Sequence, residues 1–207
     1  LLLPKIQLHF SLKYTLDYFN KAIIDSAPIG KINPSENWTD EISDWGKKRD
    51  LGGPRKLRKN LGYEWIKKGR IEGRIIGGCL PSILHLIKSE YWPDHKNRIL
   101  FIETPEGEDF TKGESLAEVD AQLCDLKISG IFDEIKGMIV GRPFRYTNGE
   151  KEKLKEIIID NTKGYNFPIL YGADIGHTDP QITIPLGTKV LIDSKKNVFE
   201  FLESGVQ

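Results

Sequence analysis

The sequence predicts an α/β fold with a mixed sheet, preceded by an irregular connector, and three patterns lead to this prediction. Continuous apolar runs, such as RILFIE at 98–103, are typical of buried strands. Runs with apolar residues at helical spacing lie between them, and alternating strands and helices are characteristic of an α/β domain. Short strands at the end of the chain, joined by a turn at 193–197, add antiparallel pairing.

The first 73 residues are predicted to hold one helix and a tryptophan-rich connector. Apolar residues recur at helical spacing over 14–24 (YTLDYFNKAII), which predicts an amphipathic helix. The stretch that follows combines prolines, glycines and mixed charges with Trp38 and Trp45, so a long irregular segment is predicted. Its aromatic residues argue against disorder. We therefore expect a helix and connector at 1–73 and a regular domain at 74–207.

The domain at 74–207 is predicted to alternate strands with helices. Pro81 favours a helix start and Gly130 favours a helix end. The predicted strands, apart from the terminal hairpin, lie at 74–76, ending at Gly77 and Gly78, at 98–103, at 135–143, and within 167–177, which leads into a loop. The predicted helices lie at 79–90, 116–130 and 150–162.

Composition argues against several classes of function. Thirty basic and thirty acidic residues cancel, which argues against binding to nucleic acid or a membrane surface through bulk charge. No apolar run approaches the roughly 18 residues that cross a bilayer. Cys79 and Cys124 lack metal-ligand spacing and are typical of reduced thiols in a cytoplasmic protein, so we expect no metal and no cofactor. The chain starts LLLPKIQLHF, which predicts a cut end and not a signal peptide.

Two polar residues follow predicted strands and are candidates for chemistry. Glu103 ends the strand at 98–103, where a carboxylate without a partner is costly to desolvate. Its partner is either an arginine or helix N-terminus, in a structural role, or a histidine that it orients for catalysis. His177 lies in a loop after a strand, where α/β folds place functional groups. The structural alternative is a turn histidine that hydrogen-bonds Asp174 or Asp179.

A nucleophile for this pair is harder to find in the sequence. None of the ten serines lies in a Gly-x-Ser turn between a strand and a helix, and Ser82, the nearest case, is better explained as a polar first-turn residue. Cys79 begins a predicted helix, where a thiol pKa can be depressed, or it is a small buried hydrophobe. Cys124 is expected in the core, and His85 and His95 lack partners at metal-ligand spacing.

Several segments between residues 14 and 203 together resemble the LD-carboxypeptidases and their microcin C self-immunity relatives. The segments that carry the resemblance are TLDYFNKAI, PSENWTDEISDWGKKRD, EGRIIGGCLPSILHL, YWPDHKNRILFIE, LKISGIFDEIKGMIVGRP and FPILYGADIGHTDPQITIPLG. The resemblance implies a C-terminal domain of the swivelling β/β/α type, with the flavodoxin-like N-terminal domain absent from this sequence. It implies that Glu103 and His177 are catalytic and that the serine of a Ser-His-Glu triad lies outside this chain.

The resemblance also implies substrates and partners. The substrate would be the L,D-peptide bond of murein, as in peptidoglycan recycling, or a peptidyl-nucleotide of the microcin C kind. Trp45, and after it Trp38, would bind the substrate, together with Gly77 and Gly78, and the basic residues 47–49 would help to hold a phosphate. The structural alternative is that these tryptophans pin the connector to the surface of the domain. A homodimer is expected, and this chain alone is expected to be inactive. The alternative is a non-catalytic domain that binds a ligand or dimerises.

Overall fold

The computed structural model describes residues 13–42 and 55–206, which form an eight-stranded mixed sheet with helices packed on both faces and a separate two-stranded antiparallel sheet of Asn37–Trp38 and Arg58–Lys59. In those ranges no helix is long and apolar enough to cross a membrane. The helices are α1 (Lys13–Ile23), α2 (Leu80–Leu84), α3 (Leu116–Ile128), α4 (Ile131–Glu134) and α5 (Asn148–Asn161). The strands are β1 (Gly30–Lys31), β2 (Asn37–Trp38), β3 (Arg58–Lys59), β4 (Glu64–Lys67), β5 (Arg70–Cys79), β6 (Ile99–Glu103), β7 (Gly137–Gly141), β8 (Ile169–Ala173), β9 (Lys189–Asp193) and β10 (Val198–Phe201).

Strand β5 joins the two halves of the sheet. Residues 70–74 pair antiparallel with β9 and residues 75–79 pair parallel with β6, so the strand order is β1-β10-β9-β5-β6-β7-β8-β4. The prediction of a strand that ends at Gly77 and Gly78 is therefore wrong. Gly77 has a φ of 138°, and a Cβ there would overlap the carbonyl oxygen of Phe101 on β6. The glycine permits the close approach of two paired strands and does not end β5.

The predicted helices at 14–24, 116–130 and 150–162 are confirmed as α1, α3 and α5 with shifted ends. Both α3 and α5 begin in a capping box, in which the residue before the helix and the third helical residue satisfy each other's backbone amides. Thr147 and Glu150 form the second box, which is why α5 begins before the predicted position.

The predicted helix at 79–90 is too long, because α2 ends at Leu84 and turns follow it. Leu80 is the buried residue of this helix. A short helix depends on burying an apolar face, because starting a helix is unfavourable and each further turn needs support from packing.

The prediction that Cys124 lies in the core is also wrong, because its side chain is exposed. The buried positions of α3 are Val119, Leu123 and Leu126, which lie on one stripe of the helix. Cys124 follows Leu123 by one residue, a rotation of about 100° around the helix axis, and so leaves that stripe.

The parallel strands β5, β6, β7 and β8 end at one edge of the sheet, where α/β folds collect functional groups. One core packs the sheet against α3 and α5, and a second packs its other face against α1. The boundary predicted between residues 73 and 74 falls inside β5, so β4 and the first part of β5 belong to the same sheet as the strands that follow. The division into two domains stays a prediction.

Candidate active site

Glu103 is the last residue of β6 and is 6% exposed. All five residues of β6 are buried, because parallel strands flank it on both sides and helices cover both faces of the sheet. A carboxylate at this position needs a partner to offset its desolvation. That partner is His177, whose Nδ1 lies 2.8 Å from Oε2 of Glu103. The two candidates from the sequence are thus in hydrogen-bonding contact.

His177 lies in the loop that follows β8, and its side chain is 39% exposed. The alternative in which it hydrogen-bonds Asp174 or Asp179 is wrong. Asp174 accepts a hydrogen bond from the Arg142 guanidinium at 2.6 Å, and Asp179 forms an ion pair with Arg55. Both aspartates therefore anchor the loop that carries His177, and neither of them contacts its ring in the structure.

Asp174 is fully buried and is the first residue of this loop. Besides Arg142, it binds the backbone amide of Ser35 at 2.7 Å and the Ser35 hydroxyl at 2.9 Å. Arg142 also donates to the Thr178 hydroxyl at 3.4 Å. A buried ion pair is tolerated when further hydrogen bonds satisfy both partners, and this network fixes the loop on both sides of His177.

Two glycines make room for the Glu103 side chain. A Cβ on Gly176 would lie 2.5 Å from Oε2 of Glu103, and one on Gly141 would lie 3.0 Å from the Glu103 Cβ. Gly176 also has a φ of 100°, which disfavours other residues. Neither glycine stood out in the sequence. Their signal is positional, since Gly141 lies near the end of a predicted strand and Gly176 precedes the candidate histidine.

A second carboxylate, Glu106, lies 3.4 Å from Nε2 of His177 through its Oε2. The loop after β6 folds back on itself through hydrogen bonds from the Gly107 amide to the Lys112 carbonyl (3.1 Å) and from the Glu114 amide to the Pro105 carbonyl (3.2 Å). This fold-back holds Glu106 at the cleft. Sequence reasoning missed it, because a polar loop gives no pattern that fixes its conformation.

The carboxylates favour the charged form of the imidazole. The hydrogen bond that His177 donates to Glu103 raises the pKa of His177 above its ordinary value, and burial opposes the rise. The negative charges of Glu103 and then Glu106 add to it. His177 is therefore a stronger base than a free imidazole, and its protonated form is stabilised.

Cys79 pairs with Glu103 across the parallel strands β5 and β6 and lines the same cleft. Burial, and then the negative charge of Glu103, raise the pKa of the Cys79 thiol to about 11. The thiol is therefore protonated at neutral pH and is not poised as a nucleophile. The other sequence alternative, a small buried side chain, fits its half-buried position.

The cleft between these residues holds about 430 Å³. Within the described part of the chain, no serine lines it, and Ser82 is exposed on α2. His85 is exposed, and His95 is buried against Trp92 with ring centroids 4.5 Å apart. Across residues 13–42 and 55–206, no group of three or more histidine, cysteine or acidic side chains could hold a metal ion.

The residues predicted to bind substrate fall in different places. Gly78 lines the cleft, whereas Gly77 contacts β6. Trp38 is 7% exposed, and three cations lie over its ring. Trp45 and the basic residues 47–49 lie outside the described residues. A substrate-binding role for each of these positions stays a prediction.

Known proteins resemble this chain in sequence and in structure. The family model for the LD-carboxypeptidase C-terminal domain matches residues 72–192. The chain is 34% identical over 166 residues to the microcin C7 self-immunity protein MccF of Escherichia coli, a match that covers 79% of this chain and 46% of that protein. The chain thus spans about half the length of this curated relative.

Two solved structures share the fold. The crystal structure of an MccF-like protein from Bacillus anthracis matches with a TM-score of 0.79 and 30% identity, over 94% of this chain and 57% of that chain. A structure of MccF in complex with glutamyl sulfamoyl guanosine matches with a TM-score of 0.73 and 30% identity, over 86% of this chain and 51% of that chain. Both matches support the mixed α/β architecture predicted from the sequence.

Proposed function

The chain belongs to the LD-carboxypeptidase family, and on this premise we propose that it supplies the histidine and the carboxylate of a serine hydrolase centre. The observation that carries the proposal is the 2.8 Å contact between Nδ1 of His177 and the buried carboxylate of Glu103. With Nδ1 bound to Glu103, Nε2 is the nitrogen that can exchange a proton with a nucleophile.

In this proposal His177 is the general base and Glu103 orients it. His177 takes the hydroxyl proton of a serine as the oxygen attacks the carbonyl carbon of an amide-type bond. It then returns the proton to the leaving amine, and Glu103 stabilises the imidazolium formed between these steps. Preorganisation supports the assignment, because β6, the loop after β8 and Gly176 fix both side chains before substrate arrives.

We propose that the serine lies outside these 207 residues. No serine lines the cleft in the described ranges, and the Cys79 thiol is held in its protonated form. The resemblance to the family implies that a flavodoxin-like N-terminal domain carries the serine and the oxyanion hole. Such a domain would meet this chain at the carboxyl edge of the sheet, where Glu103 and His177 lie.

The proposed substrate is a small peptide or a peptidyl-nucleotide. The structure of MccF with glutamyl sulfamoyl guanosine supports the nucleotide class, and the family description supports the L,D-peptide class. Trp45 is the proposed stacking residue for a base, since an indole contributes roughly 1–3 kcal/mol per stacked base. A cytoplasmic location and a homodimer remain part of the proposal.

The test joins the amino-terminal half of Escherichia coli MccF to this chain and follows product formation by mass spectrometry. The substrates are glutamyl sulfamoyl guanosine and murein tetrapeptide, and the 207-residue chain alone is expected to leave both intact. In the fusion, we expect His177→Ala and Glu103→Gln to reduce kcat by about 10³-fold or more, because members of a triad act as a unit.

The matched control is His85→Ala, which removes an exposed histidine of the same domain and should leave turnover within about twofold. Turnover by the 207-residue chain alone would show that it holds its own nucleophile. A folded fusion that binds substrate but does not cleave it would favour the non-catalytic alternative.

A further inference from the structure

A second pocket lies at the ends of β7 and β8, beside the start of α5, and is called here the Trp38 pocket. It holds about 470 Å³, and among the described residues it shares no lining residue with the His177 cleft. Short strands of the connector, β2 and β3, contribute Trp38 and Arg58 to its wall. The residues that matter for its chemistry are Trp38, Arg58, Arg142 and Lys151.

Three cations surround one indole in this pocket. The guanidinium carbons of Arg58 and Arg142 lie 5.0 Å and 4.9 Å from the ring centroid of Trp38, and the Lys151 ammonium lies 5.0 Å from it. The aromatic ring attracts each cation, but the three cations repel one another. Burial lowers the pKa of Lys151, the positive charges of Arg58 and Arg142 lower it further, and the carboxylates of Asp40 and Glu64 oppose this shift.

Two of these cations have carboxylate partners, and the third has none within the described ranges. Arg58 binds both oxygens of Asp40, at 2.9 Å and 3.1 Å, and Arg142 binds Asp174 at 2.6 Å. In residues 13–42 and 55–206, no ion pair or hydrogen bond joins the Lys151 ammonium to another group. Lys151 thus places a charge in a partly enclosed site where the nearby carboxylates, Asp40 and Glu64, act on it only at a distance and are paired with other cations.

The pocket offers Lys151 no free carboxylate. Those that line it, Glu64 and Glu152, form ion pairs with Lys155 at 2.6 Å and 2.7 Å. Tyr171 also lines the pocket, but it is 3% exposed and its hydroxyl is buried in the fold. Charged donors in partly enclosed sites are normally paired, so the Lys151 ammonium calls for an acceptor from outside the fold.

We propose that the Trp38 pocket binds a small oxyanion, a phosphate or carboxylate group, through Lys151 and Arg58. Charge-assisted hydrogen bonds to such a group are stronger than neutral ones, and the anion would relieve the repulsion between the cations. The proposal does not rest on catalysis by Glu103 and His177, because these residues lie in the separate cleft.

The test measures binding of sodium phosphate and sodium acetate to the 207-residue chain by isothermal titration calorimetry. Thermal melting in sodium chloride of equal ionic strength provides the reference for general screening. We expect a dissociation constant on the order of 1 mM for at least one of the two anions, with stabilisation above that in chloride. Phosphate binding alone identifies a phosphate site, and comparable binding of acetate identifies a general carboxylate and phosphate site.

The decisive comparison is Lys151→Met against Lys153→Met. Both changes remove one lysine charge from α5, but Lys153 is exposed and does not line the pocket. We expect roughly tenfold weaker binding for Lys151→Met and a change within about twofold for Lys153→Met. Arg58→Met removes a second cation of the pocket from an exposed side chain and should weaken binding several-fold, which tests the site independently if Lys151→Met does not fold. Equal losses in the two lysine variants, or stabilisation no greater than in chloride, would overturn the proposal.

Discussion

The His177 cleft and the Trp38 pocket lie at the same edge of one sheet. They differ in whether their charged side chains have hydrogen-bonding partners within the fold. In the cleft, the carboxylates of Glu103 and Glu106 lie 2.8 Å and 3.4 Å from the two nitrogens of one imidazole. In the Trp38 pocket, no ion pair or hydrogen bond joins the Lys151 ammonium to another group of the described residues. A group whose partner belongs to the fold is oriented in advance, and a group without one is left to bind a ligand.

The Asp174–Arg142 ion pair connects the two regions. Asp174 begins the loop that carries His177, and Arg142 lines the Trp38 pocket. Both side chains are almost completely buried. Because one ion pair supports both regions, we expect its removal to affect stability more than substitutions at Gly176 or Glu106.

Asp174→Ala should lower the free energy of unfolding by about 3–5 kcal/mol, because it leaves the buried Arg142 guanidinium without its counterion. The measurement is urea-induced unfolding at neutral pH. The control is Asp160→Ala on the exposed side of α5, which should change stability by less than about 0.5 kcal/mol. Added phosphate should restore part of the stability of Asp174→Ala, since the Trp38 pocket then holds a further unpaired cation.

Substitution of Gly176, which lines the cleft but not the pocket, distinguishes effects on the two regions. Gly176→Ala should destabilise the fold by about 1–3 kcal/mol, because φ at this position is 100° and the added Cβ would overlap the Glu103 carboxylate. Gly149→Ala, near the start of α5, meets nothing within 4 Å and should be neutral or stabilising by up to about 1 kcal/mol. Thermal melting of both variants measures the difference. Phosphate affinity should be unchanged in Gly176→Ala, because Gly176 does not line the Trp38 pocket, and a loss of affinity there would show that a change in the cleft is transmitted to the pocket.

The sequence predicted the parts of the fold that follow from local patterns. The apolar runs of β6, β7 and β8 predicted buried strands, because a strand covered on both faces needs apolar residues at consecutive positions. The pairing of Glu103 with His177 depended on the resemblance to a family, since 74 residues separate them in the chain. Spacing alone left structural alternatives open for both residues.

The features that the sequence did not predict depend on contacts between segments that are distant in the chain. Strand β5 is long because it pairs with β9 along its first half and with β6 along its second half. In the sequence, its glycines indicated that the strand ends earlier. The Trp38 pocket brings together β2, β3, the segment after β7, and α5, so no local pattern of basic residues signals it. The position of Glu106 beside His177 depends on how the polar loop after β6 folds back, and the periodicity of side chains along the sequence does not predict this.

The smallest expected effect concerns the second carboxylate of the cleft. Glu106→Gln removes a negative charge 3.4 Å from Nε2, so it should lower the pKa of His177, and by less than Glu103→Gln does. Proton NMR of the His177 ring during a pH titration measures both changes. Glu108→Gln is the matched control, because Glu108 is an exposed carboxylate of the same loop and should leave the titration unchanged.

The raised pKa of His177 also determines how the stability of the fold changes with pH. The folded pKa of His177 lies above its ordinary value of 6.5, so the charged imidazole stabilises the fold below that value. This contribution is lost as the pH rises through the folded pKa, because the neutral ring no longer attracts Glu106. Glu106→Gln should therefore destabilise the chain more at about pH 6 than at about pH 8.5 in urea unfolding. Equal effects at the two pH values, or an equal effect of Glu108→Gln, would mean that Glu106 is only a surface charge beside the cleft, and Glu103 would then be the carboxylate that tunes His177.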